Sequence, residues 1–316
     1  MNAKQLGKSD VYVSAMILGT WSMGGDYFGE ADDRDSAEVI RTYLGQGVNT
    51  FDTAEIYGNG RAETVLGKTL EGVPRQDYVL ISKVFPQHFG QMEKSCDESL
   101  KRLKTDYLDV YFLHYPPVDM SIGEAMERIH GLKEKGKIRT VGVSNFSLEQ
   151  LEEARRYGTV DVIQPCYNLL WRYAERDLLP YCTKEGIGVI PYSTLAQGLL
   201  TGHFQKDTPI TAGRKRAALF QPENYLRCLE VTEVLKEVGG KYGLSAAQTC
   251  ISWLMHNPEL TAPIIGGIDE RHARENLAAA DFVMSRQDYE TIDAASRAFC
   301  QSMPEYVLFF DSKIRE

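Results

Sequence analysis

Within the first 114 residues, four side chains have the chemistry to deliver a proton to a carbonyl oxygen: Asp52, Tyr57, Lys83 and His114. A tyrosine phenol has an ordinary pKa of about 10, too high for easy donation at neutral pH. A neighbouring ammonium favours the phenolate and lowers that value. Lys83 can supply the ammonium, and Asp52 can keep it protonated and oriented. His114 can donate a hydrogen bond to the carbonyl oxygen or relay a proton. Such a set polarises a C=O and protonates the alkoxide that forms when a hydride arrives. No side chain stores a hydride, so a nicotinamide cofactor is implied. Taken singly, the four are ordinary. Asp52 could cap a loop, Tyr57 could sit in a surface turn, and a lone histidine is more often a satisfied core residue than a catalyst. Lys83 is harder to dismiss, because an ammonium at the end of an apolar strand costs desolvation unless it is paired.

A repeated strand–helix pattern would bring the four together. Residues 4–13 read as a hairpin turning at 8–10, and 16–18 as a buried strand. Further strands fall at 48–51, 78–82, 107–113, 138–143, 160–163, 188–191 and 261–265. Helices fall at 33–44, 61–70, 91–103, 122–134, 148–157, 175–184, 222–242, 245–256, 270–279 and 288–299. An insertion at 199–218 is rich in Gly, Thr and basic residues. Strands that are apolar throughout suit a parallel sheet covered on both faces. No G-x-G-x-x-G opens a helix after a strand, which counts against a doubly wound dinucleotide fold. Eight units of about 30–40 residues, with no linker between them, predict one (β/α)8 TIM barrel domain over 1–316. The hairpin would plug its floor and the C-terminal tail would lie over its mouth.

Active sites of such barrels stand at the C-terminal rim of the strands. The rim positions here are Trp21, Asp52, Lys83, His114, Ser144, Asn145, Gln164, Tyr192 and Gly266. Ser144, Asn145 and Gln164 suit hydrogen bonds to a nicotinamide carboxamide, and Tyr192 suits a ring stack. Ser144 could equally cap a helix, and a buried amide could simply bond backbone. The expected substrate wall is Trp21, Tyr27, Phe28, Phe85, His88 and Tyr115 with Phe299, Tyr306, Phe309 and Phe310 from the tail. Aromatic walls with a few polar groups accept sugar faces as well as flat carbonyls. Asp26 and Glu30 add acceptors for hydroxyls, which points to polyols, sugars or small aldehydes.

Composition excludes other classes. A net charge of -9 argues against nucleic acid or an anionic membrane surface as partner. No apolar run is long enough to span a bilayer. The polar stretch 1–11 lacks the apolar region of a signal peptide, so a cytoplasmic protein is expected. Six widely spaced cysteines without a C-x-x-C pair fit reduced thiols. No spacing of metal ligands appears, so no metal is expected.

Over nearly its whole length the chain resembles the aldo-keto reductase family. The matching pieces are Gly19-Thr20-Trp21, Phe51-Asp52-Thr53-Ala54-x-x-Tyr57-Gly58 with Glu63-x-x-Leu66-Gly67, Ser82-Lys83, Asp109-x-x-x-x-His114, Gly142-Val143-Ser144-Asn145-Phe146, Gln164-x-x-Tyr167-Asn168, Pro191-Tyr192-Ser193 and Glu275-Asn276. Their order, each piece at a strand end, makes the match specific. The resemblance implies a barrel that reduces aldehydes or ketones, or oxidises the matching alcohols and sugars. It implies the tetrad Asp52, Tyr57, Lys83 and His114, with Tyr57 as proton donor. It also implies a cofactor wall of Ser144, Asn145, Gln164, Tyr192, Ser193, Leu195, Gly266, Asp269, His272, Glu275 and Asn276, the last two at the adenine. The insertion and the Gly266-Gly267 loop are more similar to the bacterial sugar-reductase and channel β-subunit-like branches than to mammalian steroid reductases.

One departure bears on the cofactor. Many members carry Lys or Arg after the last strand to meet the 2′-phosphate of NADP. Here Asp269 would repel a phosphate and could bond a free ribose hydroxyl. Arg271, His272, Arg214, Lys215 or Arg216 could still meet a phosphate. Family precedent therefore favours NADP(H), with NAD(H) possible. Two other readings of the same barrel stay open: a nucleotide-sensing protein that regulates a partner, and a sugar isomerase that retains its cofactor.

Overall fold

A computed structural model describes residues 2–303. Strands β1 (Ala3–Gln5) and β2 (Tyr12–Ser14) pair antiparallel as a hairpin. The next eight are β3 (Ile17–Gly19), β4 (Thr50–Asp52), β5 (Val79–Val84), β6 (Leu108–Leu113), β7 (Ile138–Ser144), β8 (Val162–Gln164), β9 (Gly188–Val189) and β10 (Ile264–Gly266). They form one parallel sheet in the order β10-β3-β4-β5-β6-β7-β8-β9. Backbone bonds from Thr261 N to Val189 O (2.8 Å) and from Ile264 N to Pro191 O (3.0 Å) join its two ends. The sheet thus curls shut, and a closed sheet leaves no unpaired edge. This is the expected (β/α)8 barrel.

Helices cover the outside. They are α1 (Asp33–Gly45), α2 (Arg61–Thr69), α3 (Met92–Leu103), α4 (Ile122–Glu134), α5 (Leu148–Ala154) and α6 (Leu178–Glu185). Between β9 and β10 run α7 (Pro222–Gly240) and α8 (Ala246–Met255); α9 (Glu270–Ala278) and α10 (Arg286–Ser302) follow β10. Local chemistry sets several starts. Ser121, Ser147 and Ser245 each form a reciprocal capping box with Glu124, Gln150 and Gln248, which satisfies two otherwise unpaired donors per helix. No helix among the described residues is long and apolar enough to cross a membrane. All six cysteines are free, five of them buried.

Where boundaries differ from expectation, proline explains two of the shifts. The expected strands at 188–191 and 261–265 shrink to Gly188–Val189 and Ile264–Gly266. Pro191 and Pro263 stand at those points, and proline has no N–H for a ladder. The insertion holds only short 3₁₀ turns at Ala196–Thr201, Arg214–Arg216 and Ala218–Phe220.

The floor is closed as expected. Leu6, Val11 and Val13 of the hairpin pack with Ile17, Ile81, Val110, Phe112 and Val162 in a core cluster inside the strands. Docking is close. A Cβ on Gly7, whose φ is +61°, would lie 2.2 Å from the Asp161 carbonyl oxygen, so glycine serves both the left-handed turn and the contact. Leu6 is fully buried. Leu6→Ala should therefore cost about 2–5 kcal/mol in urea unfolding; a cost under about 0.5 kcal/mol, the size of an ordinary surface change, would show that the hairpin is not part of the core.

Candidate active site

The strand ends deliver a buried charged group to the rim. Lys83 is the penultimate residue of β5, a strand buried along its whole length, and none of it is exposed. Its Nζ donates to Asp52 Oδ1 (2.7 Å), to the Thr53 carbonyl oxygen (2.7 Å) and to Tyr57 Oη (3.3 Å). Asp52 closes β4, and its other oxygen accepts from Gln164 Nε2 at the end of β8 (2.8 Å). Tyr57 comes from the loop after β4. Its ring stacks under Trp21 at 5.9 Å between centroids and meets the His114 ring edge-on at 6.0 Å. The expected four residues stand together.

Burial sets the electrostatics. It pushes the Asp52 carboxyl up and the Lys83 ammonium down, and each partner's charge pulls the other back. Three acceptors on Nζ and an amide donor on Asp52 match the ion-paired form. The Tyr57 phenol is held well above its ordinary value, first by burial and then by the charge of Asp52. This corrects the expectation that Lys83 lowers it: the ammonium is already matched by Asp52, so burial decides. His114 is held well below the ordinary histidine range, by burial and then by Lys83. The ring is held neutral, and its buried Nδ1 has no hydrogen-bond partner among the described residues.

Around this centre lies a cavity of about 710 Å³. Its lining includes Asp52, Tyr57, His114, Ser144, Asn145, Gln164, Tyr192, Ser193, Leu195, Gly266, His272, Glu275 and Asn276. Trp21, Tyr27, Phe28, Phe85 and Tyr115 form its aromatic part. Lys83 lies beneath the surface rather than on it. Several lining side chains already serve one another: Ser144 Oγ donates to Gln164 O, Asn145 Nδ2 to His114 O, and Tyr192 Oη to Asn145 Oδ1. Asn145, Ser193, Ala196 and Gln197 all have positive φ without being glycine. Such strain concentrates at functional sites.

The lining fits a nicotinamide nucleotide. A Cβ at Gly266 or Gly267 would have its nearest neighbours at 3.9 and 3.7 Å, so a side chain there would fill the cavity rather than strike the protein. The guanidinium groups of Arg271 and Arg214 give that cavity positive charge. Asn276, buried, donates to Gly266 O (3.0 Å) and braces the loop.

Four expectations are corrected. Asp269 does not line the cavity; it caps α9, accepting from His272 N (2.8 Å) and pairing with His272 Nδ1 (2.7 Å). His88 turns away to Glu55 (2.9 Å). Phe299 is buried on α10, beneath the Arg227 guanidinium of α7. Asp26 accepts from Gly58 N (3.2 Å) and its neighbour Tyr27 N (2.8 Å), and neither it nor Glu30 is in the lining. Tyr306, Phe309 and Phe310, and the expected tail over the mouth, lie outside the described residues.

Two residues escaped sequence reasoning. Glu55, buried, accepts from Phe85 N (2.7 Å) and so fixes the loop that carries Phe85. Its place two residues before Tyr57 was the available signal. Gln197 accepts from Tyr27 Oη (2.9 Å), and its buried Nε2 has no partner among the described residues. Nothing local marks Gln197, because only the path of the turn at Ala196–Thr201, which leads into the insertion, brings it to Tyr27.

Known proteins give the same architecture. The model of the aldo/keto reductase family matches residues 15–297. The chain is 32% identical over 308 residues to the NADH-specific methylglyoxal reductase of Escherichia coli (strain K12), covering 90% of this chain and 94% of that one. It is similar in structure to glycerol dehydrogenase from Gluconobacter oxydans, with TM-score 0.84, 25% identity and coverage of 97% and 98%. An aldo/keto reductase from Klebsiella pneumoniae, solved in complex with NADP and acetate, gives TM-score 0.76, 30% identity and coverage of 97% and 98%. The family match takes in every strand of the barrel and the whole lining of the cavity, and the chain belongs to the aldo/keto reductase family.

Proposed function

We propose that this NAD(P)(H)-dependent oxidoreductase reduces a small aldehyde or ketone, with Tyr57 as the proton donor. The carrying observation is the Lys83 ammonium, which touches Asp52 and Tyr57 Oη at once beneath the cavity. A bound reduced nicotinamide supplies the hydride. Gln164, Tyr192, Ser193, Leu195, Gly266, Glu275 and Asn276 are the residues we assign to holding it, with Ser144 and Asn145 bracing that wall.

The protein's own part is proton delivery. Burial keeps the Tyr57 phenol protonated at neutral pH, so a proton is always at hand. As the carbonyl oxygen becomes an alkoxide it turns into a stronger base than phenolate, and the proton moves from Oη to it. Lys83 then stabilises the phenolate through the contact it already makes, and Asp52 keeps Lys83 charged. The neutral His114 ring donates a hydrogen bond to the carbonyl oxygen and orients it.

We favour NADP(H). Asp269 spends its charge on the α9 cap and His272, which removes the main objection to a 2′-phosphate, while Arg271 lines the cavity beside it. The NADH-specific relative marks NAD(H) as the competing choice. Arg271→Gln should raise KM for NADPH about tenfold, the loss of one charge-assisted bond, and should raise it more than KM for NADH. Equal effects on both would assign Arg271 elsewhere.

Tyr57→Phe should keep NADPH binding and lower kcat by about 10²-fold or more. Near-wild-type turnover on aldehydes would refute Tyr57 as donor. Repeated turnover of NADPH per protein also separates catalysis from a purely nucleotide-sensing role.

His114 gives a pH prediction. Its folded pKa is depressed, so the folded state binds fewer protons than the unfolded state. The stability it contributes is complete above about 6.5, the unfolded value, and is lost as pH falls from there toward the folded value. Imidazole NMR shifts of His114 should stay those of the neutral ring at about pH 6; a midpoint near 6.5, the unperturbed value, would contradict its burial as a neutral donor.

A further inference from the structure

We propose that Glu55 is a positioning residue that sets substrate selectivity, by holding Phe85 in place as an aromatic wall beside the reacting carbonyl. This rests on the carbonyl-reductase reading above. Glu55 stands in the loop between Asp52 and Tyr57, and only 7% of it is exposed. It does not line the cavity, whereas its neighbours Ile56 and Tyr57 do, and so does Phe85. A buried carboxylate placed just behind the lining acts through what it holds.

The backbone shows why Phe85 needs holding. On one side of β5, the register with β4 ends at Asp52 opposite Ile81, with one further bond from Thr53 N to Ile81 O (2.9 Å). On the other side, β6 follows β5 to its end, and His114 N donates to Val84 O (3.0 Å). A trans peptide points its N–H away from its C=O, so Phe85 N faces the loop that follows β4. That loop has left the ladder, and its Glu55 side chain replaces the missing strand: Oε1 accepts from Phe85 N at 2.7 Å. Phe85 opens the 3₁₀ turn Pro86–Gln91 without a side-chain cap of its own. His88 of that turn places Nδ1 2.9 Å from the same Glu55 oxygen. The His88 side chain is half exposed, so its pairing is screened and adds little. A backbone N–H given to a buried carboxylate belongs to the strong class of hydrogen bond.

The ring of Phe85 then meets those of His114 and Tyr115 edge-on, each at 5.8 Å between centroids. His114 is the group assigned above to the carbonyl oxygen, and Tyr57 arrives on the same loop as Glu55. One carboxylate thus sets the spacing between the loop that carries the proton donor and the loop that carries the aromatic wall. A small aldehyde such as propanal needs little beyond Tyr57 and His114. An aromatic aldehyde has to lay its ring against the wall, and a wall already fixed saves the cost of ordering it on binding.

The test separates reach from charge. Glu55→Asp keeps the charge and shortens the side chain by one carbon, whereas Glu55→Gln removes the charge and keeps an acceptor oxygen at the same reach. In NADPH-dependent turnover, Glu55→Ala should lower the benzaldehyde-to-propanal ratio of kcat/KM by about tenfold, the loss of one charge-assisted hydrogen bond, mainly through KM for benzaldehyde. Glu55→Asp should lower it in the same direction, so the outcome does not depend on Glu55→Ala folding. Glu55→Gln should restore most of the ratio. In a Phe85→Ala background, Glu55→Ala should change the ratio by no more than about twofold, because its effect runs through Phe85. Calorimetric titration of benzaldehyde into NADP⁺-loaded protein reads the same order without turnover. Weaker benzaldehyde binding in Glu55→Ala or Glu55→Asp, restored in Glu55→Gln, with neither aldehyde reduced by the unsubstituted protein, would support the positioning role and refute the reductase reading. An unchanged ratio, equal losses for both aldehydes, Glu55→Gln as impaired as Glu55→Ala, or an effect that survives in the Phe85→Ala background would overturn the proposal.

Discussion

An ammonium with no exposed surface, set in the wall of a parallel barrel, is the constraint that organises this molecule. Lys83 is fully buried, and an unpaired charge there would cost several kcal/mol. The fold meets that cost by converging strand ends. Asp52 from β4, Thr53 just beyond it and Tyr57 from the following loop all present oxygen to Nζ. Gln164, from β8, satisfies the second oxygen of Asp52. A further layer holds the strand itself: Ser82 Oγ donates to Glu63 (2.6 Å), and Arg102 pairs with the same carboxylate. Replacing either member of the Asp52–Lys83 pair leaves the other charge buried, which typically costs about 3–5 kcal/mol.

The same burial changes what Lys83 does for Tyr57. Type and spacing alone suggest an ammonium that lowers the phenol's pKa. In the folded chain the ammonium is matched by Asp52, and the phenol is buried, so its pKa rises. A phenol held protonated is a ready donor to an alkoxide but a poor one to water. In the proposed mechanism the contact with Lys83 contributes most once phenolate forms. Preorganised charge aimed at the group that becomes negative is the commonest large contribution to catalysis.

The barrel and the strand-end residues were legible because both follow from local rules. Apolar strands alternate with amphipathic helices, and polar groups stand where each strand stops: Asp52, Lys83, His114, Ser144, Gln164. What escaped depends on loops that travel. Gln197, in the turn that leads into the insertion, and Arg214, within it, reach Tyr27 and Phe28 only through the course of that segment, and no periodicity encodes that path. Asp269 was misplaced for a different reason. A carboxylate one residue before a helix caps it, and the N-cap role took precedence over the role suggested by the family's loop. His88 and Phe299 show the limit of composition: an imidazole expected at the rim can turn to Glu55, and an aromatic expected there can pack under Arg227 of α7 instead. Pro191 and Pro263, visible in the sequence, shortened two strands without opening the barrel.

The central claim is that Asp52, Lys83 and Tyr57 act as one proton-delivery unit. A double-mutant cycle on kcat/KM with Asp52→Asn and Lys83→Met tests it most directly. Residues that act as a unit are strongly non-additive. The double variant should be no slower than the worse single variant by more than about twofold, a departure from additivity far larger than the roughly 0.5 kcal/mol within which independent sites add. Additive losses, with the double variant slower by the product of the two single effects, would contradict the account.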